Sequence, residues 1–301
     1  MTGTTVPALP PTESKRVRQF RQDLVRELPK FPNNRATRDA LLTMSLGQLL
    51  IHFGNWRLRL IRKAVRTVTV DAAVTGDPRY AQLQPGIDAL LAKVHNGEDL
   101  TPHLSLGAVR QGYTPAALAP NPPPPAQPVD RWADKDFLLN VMGYHHLHLG
   151  TVIEPEGHIR RSNEVLFARL TRTTFEALLI LDHSVFEKDP QGGMTPERTR
   201  LWTMFDQQSA QGVPPGTPYI PAMVTLSGHP MHLTLYSGRL VSTIRDLDQK
   251  LDDPAYVKEL YDSAGIAVPK KPKLSFMLNG LDLGLFDAAI GQFWRFVDGP
   301  I

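Results

Sequence analysis

Three histidines lie within four positions of one another in residues 144–150, which read Tyr-His-His-Leu-His-Leu-Gly. Side chains two apart in a β-strand share a face, so His146 and His148 should point together while His145 points away. Free imidazole has a pKa of about 6.5 and exchanges protons near neutral pH. The pair therefore predicts either acid–base chemistry on a phosphodiester or a metal site, and structural packing of each ring is the alternative.

Other side chains are candidates to join this pair. His183 follows the apolar run 178–181. If strand 175–181 neighbours strand 145–151, His183 comes to the rim of the sheet beside the histidine pair. Arg161 and Arg169 are the candidates to stabilise a phosphorane, with a solvated strand edge as their alternative. The set predicts metal-independent RNA cleavage, in which the 2′-hydroxyl is the nucleophile and the protein supplies base, acid and charge.

A metal site is the competing interpretation. The chain has no cysteine, so only His, Asp and Glu are plausible ligands. Carboxylates at 134, 136, 154, 156 and 182 flank the histidines, but none has a familiar spacing such as H-E-x-x-H. We therefore expect no metal and no cofactor, and a His-ligated metal-dependent hydrolase stays the third hypothesis.

The N-terminal part of the chain is strongly basic. Residues 1–70 hold 13 Lys and Arg against 4 Asp and Glu, an excess of nine positive charges, although the whole chain has a net charge of only +3. RNA or another polyanion is the expected partner, an acidic protein is a second candidate, and the acidic remainder of the chain is a third. A helical stretch predicted over 37–67, with Gly47 and Gly54 as candidate break points, carries the candidate nucleic-acid contacts, Trp56, Arg57, Arg59, Arg62, Lys63 and Arg66.

These groups need a scaffold, and the pattern predicts an α+β fold with several parts. The predicted parts are a disordered tail (1–12), a basic helical domain (13–115), a proline-rich linker (116–130), a histidine-bearing antiparallel sheet domain (131–213) and an α/β segment that packs on the sheet (214–301). Strands are predicted over 144–152, 165–170, 175–181, 223–226, 231–236 and 274–278, and C-terminal helices over 238–251, 254–264 and 285–297.

The expected location of the protein follows from two kinds of segment that are not found in its 301 residues. Apolar runs are far shorter than the ~20 residues of a membrane helix, and no signal peptide opens the chain. We expect a soluble cytoplasmic protein with no membrane partner.

Six sequence blocks carry a resemblance. They are Trp-Arg-Leu-Arg-Leu-Ile at 56–61, Asp-Leu-Thr-Pro-His-Leu-Ser at 99–105, Asp-Phe-Leu-Leu-Asn at 136–140, Gly-Tyr-His-His-Leu-His-Leu at 143–149, Val-Leu-Phe-Ala-Arg at 165–169 and Asp-His-Ser-Val-Phe at 182–186. They resemble a set of uncharacterised bacterial proteins that share the blocks in this order, which implies that residues 40–187 form one unit. Residues 144–186 are also similar in pattern to the short antiparallel sheet of RelE-type ribonuclease toxins.

Together these observations predict a bacterial endoribonuclease related to toxins or phage defence. In it, His146, His148 and His183 share acid and base roles while the basic helix holds RNA. The alternative is a non-enzymatic nucleic-acid or protein-binding module with structural histidines.

Overall fold

The computed structural model describes residues 13–110, 112–115, 139, 142–187, 193–214, 216–218, 225 and 229–300. The predicted tail and the predicted linker lie outside these ranges. The helices are α1 (Lys15–Glu27), α2 (Arg35–Thr43), α3 (Leu46–Leu58), α4 (Ala72–Thr75), α5 (Tyr80–Asn96), α6 (Leu106–Arg110), α7 (Pro196–Ser209), α8 (Met231–Lys250) and α9 (Pro254–Ser263). Short 3-10 helices span Thr101–His103 and His183–Phe186.

The strands form two sheets, and the α+β prediction is confirmed. The strands are β1 (Thr67–Val70), β2 (Tyr144–His148), β3 (Glu164–Leu170), β4 (Thr174–Asp182), β5 (Leu274–Asn279), β6 (Asp282–Asp287) and β7 (Gln292–Val297). The first sheet has the order β1-β4-β3-β2, and the second has the order β5-β6-β7. The histidine-bearing sheet is mixed rather than purely antiparallel, because β1 pairs in parallel with β4.

Each face of the four-stranded sheet buries a different set of side chains. Leu147, Leu166 and Ala168 pack with Ile87 and Leu90 of α5 on one face. On the other face, the sheet residues pack against α7 and the 3-10 helix that follows β4; this second set contains Tyr144, Val165, Phe167, Leu179, Leu181, Phe186, Leu201, Met204 and Phe205. Alternation along the strands therefore decides which layer each side chain enters.

A third apolar cluster joins the two ends of the chain. Phe20 of α1 and Phe53 of α3 are buried with Ile244 of α8 and with Phe276 and Trp294 of the second sheet. Since this cluster spans α1 to β7, and β1 completes a sheet made by later residues, the packing does not follow the predicted divisions 13–115, 131–213 and 214–301.

The helical stretch predicted over 37–67 divides into α2 and α3 just before Gly47, one of its two candidate break points, but it stops earlier than predicted. α3 begins with a capping box between Ser45 and Gln48 and ends at Leu58. The chain then runs without helix to β1, because the β-branched run 67–70 pairs with β4 and Ile61 is buried between the elements. Residues 59–66 therefore do not form the predicted helical row.

Two further predictions are wrong in the C-terminal part. Residues 231–236 belong to α8 rather than to a strand, since Leu233, Ser237 and Leu240 are buried at helical spacing. The helix predicted over 285–297 is instead most of the β6–β7 hairpin, which turns at Gly291 with φ +71°. The strand predicted over 223–226 lies outside the described residues except for Thr225. In the described part of the chain, no helix has the length and apolar character needed to span a membrane.

Candidate functional site

The three predicted histidines come together at one end of the four-stranded sheet. The ring centroids of His146 and His148 are 6.5 Å apart, and those of His148 and His183 are 5.8 Å apart with nearly parallel planes. His148 is only 3% exposed, whereas His146 and His183 are half-buried. Solvent therefore reaches two of the three rings, and the third lies behind them.

His183 reaches the histidine pair although the strand before it is not the neighbour of β2 that the sequence suggested. Strand β3 lies between β2 and β4, so the strands that carry the histidines are not neighbours. Asp182 instead caps the 3-10 helix His183–Phe186 by accepting a hydrogen bond from the Ser184 amide at 2.8 Å. That turn brings His183 back across β3 to the rim of β2.

The nitrogens of His183 have distinct roles. Nδ1 lies 2.6 Å from the carbonyl oxygen of Asn163, and a carbonyl can only accept, so Nδ1 donates. In the neutral ring, Nε2 is therefore the nitrogen that can accept a hydrogen bond.

Two phenylalanine side chains pack against the histidine rings of the cluster. Phe186 contacts His146 with a centroid distance of 5.2 Å and His183 with a distance of 6.0 Å. Phe167, which pairs with His146 across β2 and β3, lies 6.0 Å from the His146 ring. The apolar neighbours restrict ring movement on the buried side.

The two predicted arginines have different surroundings. Arg161 is exposed, and it precedes by two residues the Asn163 carbonyl that holds His183. Arg169 pairs with Glu176 at 2.6 Å and lies beside Tyr144, at the opposite end of β2 from His148. Four residues of strand, about 13 Å, separate Arg169 from the His148 level, so it is not part of the cluster.

His145 faces the other side of the sheet, as the alternation predicts. Its Nε2 donates to the carbonyl of Leu58 at 2.9 Å. Burial lowers the pKa of His145 to about 4, although the hydrogen bond to Leu58 opposes the shift. The ring is therefore neutral at pH 7.

The predicted nucleic-acid residues also lie on that other side. Arg57, Arg62, Lys63 and Arg66 line one cavity together with His145. Trp56 is 7% exposed and belongs to the apolar cluster of α1 and α3, so its ring does not present a stacking surface. Arg59 is half-buried. Because the sheet separates this basic cavity from the His146, His148 and His183 rings, the two predicted sets do not form a single site.

Sequence reasoning missed an ionic network next to the histidine cluster. The buried carboxylate of Asp77 accepts from Arg79 through two bonds of 2.9 Å and from Arg200 at 2.8 Å. Burial opposes ionisation of Asp77, but these hydrogen bonds outweigh it and lower its pKa. Arg79 also lies 3.9 Å from Asp182, the residue before His183. No local motif reveals this network, because Asp77 and Arg200 are 123 positions apart.

A buried histidine behind β2 was also missed. His103 Nδ1 donates to the carbonyl of His148 at 2.8 Å, and Lys93 Nζ lies 3.1 Å from its Nε2. Burial lowers the pKa of His103 and Lys93 adds to the effect, although the bond to His148 opposes it. His103 is thus a neutral side chain that holds the β2 backbone by a hydrogen bond.

Within the ranges given above, no three His, Asp or Glu side chains are grouped so that they could hold a metal ion. The cluster presents two half-buried imidazole rings, those of His146 and His183. Comparison of the chain with protein-family models, with curated proteins and with solved structures finds no match.

Proposed function

We propose that this protein is a ribonuclease that cleaves RNA by histidine acid–base chemistry without a metal ion. The observation that carries the proposal is the meeting of three imidazole rings at one end of the sheet, with His146 and His183 half-buried. Two imidazoles at one phosphate suffice for this reaction, because one accepts a proton while the other donates one.

The proposed reaction moves two protons and replaces one P–O bond with another. One imidazole takes the proton of the 2′-hydroxyl while that oxygen attacks phosphorus. The other imidazole, initially protonated, gives its proton to the 5′-oxygen as the P–O5′ bond breaks. The products are a 2′,3′-cyclic phosphate and a free 5′-hydroxyl, and no oxidant or reductant is needed.

Burial and contacts suggest how the roles divide. His146 and His183 are the proposed catalytic residues because solvent, and hence substrate, reaches them. His148 is a positioning residue, since its nearly buried ring stacks on His183. Arg161 is the proposed phosphate contact, because it is exposed and close in sequence to the Asn163 carbonyl that holds His183.

The test is cleavage of a mixed-sequence RNA by the full chain in EDTA, with the new ends identified by mass. We expect cyclic phosphate ends, and a loss of at least about 100-fold in kcat/KM for His146→Asn and for His183→Asn. Arg161→Gln should raise KM. His95→Asn and Arg160→Gln are matched controls, because both side chains are exposed and Arg160 already pairs with Glu154 at 3.6 Å.

Two results would overturn the proposal. One is wild-type activity in both histidine variants. The other is RNA that binds but stays intact, with binding that survives both substitutions. That second result would make the protein the non-enzymatic binding module of the alternative hypothesis.

A further inference from the structure

The cavity on the opposite face of the sheet has the composition of an anion site. Its volume is about 220 Å³. The segment after α3 forms one wall, the β3–β4 turn forms another, and the β5–β6 turn closes the third side. It therefore lies where the two sheets of the protein approach each other.

Positive charge exceeds negative charge around this cavity. Four cationic side chains line it, and the acidic side chains that line it are Asp99 and Asp282. Lys63 pairs with Asp99 at 3.1 Å. Asp282 is already held by Arg172 and by the Gly299 amide at 2.8 Å, and Arg62 lies 3.7 Å away. The carboxylate of Asp282 thus lies close to more than one guanidinium group. With four cationic and two acidic side chains, the cavity lining keeps a surplus of about two positive charges.

Arg66 is the cavity residue whose charge has no local counter-charge. It is 6% exposed, and its guanidinium donates to the carbonyls of Arg62, Ala64 and Thr171 at 2.9 to 3.2 Å. In the described part of the chain, no carboxylate forms an ion pair with Arg66, and its Nη2 makes no hydrogen bond. Burial, reinforced by the neighbouring charge of Arg62, lowers the pKa of Arg66, yet a guanidinium stays protonated in proteins. A buried charge of this kind is costly unless an anion joins it.

His145 adds a polar group to the same wall. Its ring is 5% exposed, and its Nδ1 is buried with no hydrogen-bond partner among the described residues. Because Nε2 carries the hydrogen in this neutral ring, Nδ1 can only accept, so His145 could bind a protonated phosphate oxygen but adds no positive charge.

We propose that this cavity binds a small phosphate-bearing anion, either inorganic phosphate or the phosphate group of a small monoester. Guanidinium forks and an ammonium group match the several oxygens and the double negative charge of phosphate. A volume of 220 Å³ lies below the 300–1,000 Å³ range of drug-sized ligand sites, so the cavity suits a small anion better than a polynucleotide. The site does not depend on the proposed ribonuclease activity.

The experiment is calorimetric titration of the full chain with inorganic phosphate, against sodium chloride at equal ionic strength. The test variant is Arg62→Gln combined with Lys63→Gln, because these side chains are 56% and 65% exposed and their removal should not unfold the chain. Arg35→Gln is the matched control, since Arg35 lies on α2 outside the cavity lining and is 89% exposed. Arg66→Gln is a second test variant, compared after its folding has been checked by thermal melting.

We expect saturable phosphate binding by the wild type and by Arg35→Gln, and binding at least tenfold weaker in the double variant and in folded Arg66→Gln. The proposal is overturned if chloride and phosphate give the same heats, or if the double variant binds phosphate as the wild type does. It is also overturned if a ten-nucleotide RNA binds through Arg62 and Lys63 and phosphate does not compete. Since the readout is phosphate binding, its failure leaves the RNA cleavage result unaffected.

Discussion

His145 and His146 are consecutive in the chain, yet they serve opposite faces of the four-stranded sheet. His145 donates through Nε2 to the carbonyl of Leu58 and lines the basic cavity. His146 lies against Phe186 with a centroid distance of 5.2 Å, beside His148. One peptide bond therefore separates a proposed anion site from a proposed acid–base site, and substitutions at the two positions should have separable effects.

His145 should make the protein sensitive to mild acid. Its pKa is about 4 in the folded chain and 6.5 as a free side chain, so between these values the unfolded chain takes up a proton that the folded chain refuses. The stability linked to His145 is full above pH 6.5, and it falls as the pH drops towards 4, by about 3 kcal/mol. In His145→Gln, the free energy of unfolding measured in urea from pH 7.5 to 4.5 should fall less steeply.

The exposed His95 gives the control for this experiment, since His95→Gln should keep the wild-type slope. Parallel wild-type and His145→Gln profiles would contradict the burial argument. The profile of His145→Gln should retain some slope, because burial also lowers the pKa of His52 to about 4.

Asp77→Asn should destabilise the fold by about 2 to 3 kcal/mol. The substitution leaves Arg79 and Arg200 without the buried carboxylate that holds both, although partial exposure of the two arginines reduces the cost. Denaturant unfolding at pH 7 measures the change. Asp39→Asn removes an exposed carboxylate that pairs with Arg35 at 3.5 Å, and it should cost less than about 0.5 kcal/mol. Equal effects of the two substitutions would disprove the role given to the network.

Gly86 should resist even the smallest side chain. A Cβ at this position of α5 would lie 1.9 Å from the carbonyl oxygen of Leu149, just after the histidine strand. We expect Gly86→Ala to cost about 3 kcal/mol, because backbone must move on both sides of the contact. Gly238→Ala, on the exposed face of α8 with open space around it, should instead stabilise the protein by about 0.5 to 1 kcal/mol. Thermal melting of both variants gives the comparison, and a stable Gly86→Ala would refute the close approach of α5 to the sheet.

The local spacing of apolar residues predicted several elements correctly. It failed where the same spacing is compatible with both a helix and a strand. The strands predicted over 165–170, 175–181 and 274–278 follow from spacing alone. The stretch around Leu233 and Leu235 alternates like a strand, but Leu233 is buried and Leu235 is 67% exposed because α8 presents one face to α3. In the same way, the basic residues 59–66 have helical spacing but form no helix. They lead directly into β1, where Thr67 pairs with Thr174 of β4.

The sequence by itself determined which side of β2 each histidine takes, because alternation is a property of the extended backbone and needs no other segment. It also determined the surplus of positive charge near Arg57 to Arg66. Only the tertiary structure decided that His183 joins His148 across an intervening strand, and that Asp77 meets Arg200. Such contacts join segments far apart in the chain, so they depend on the packing free energy of the whole fold and not on local spacing.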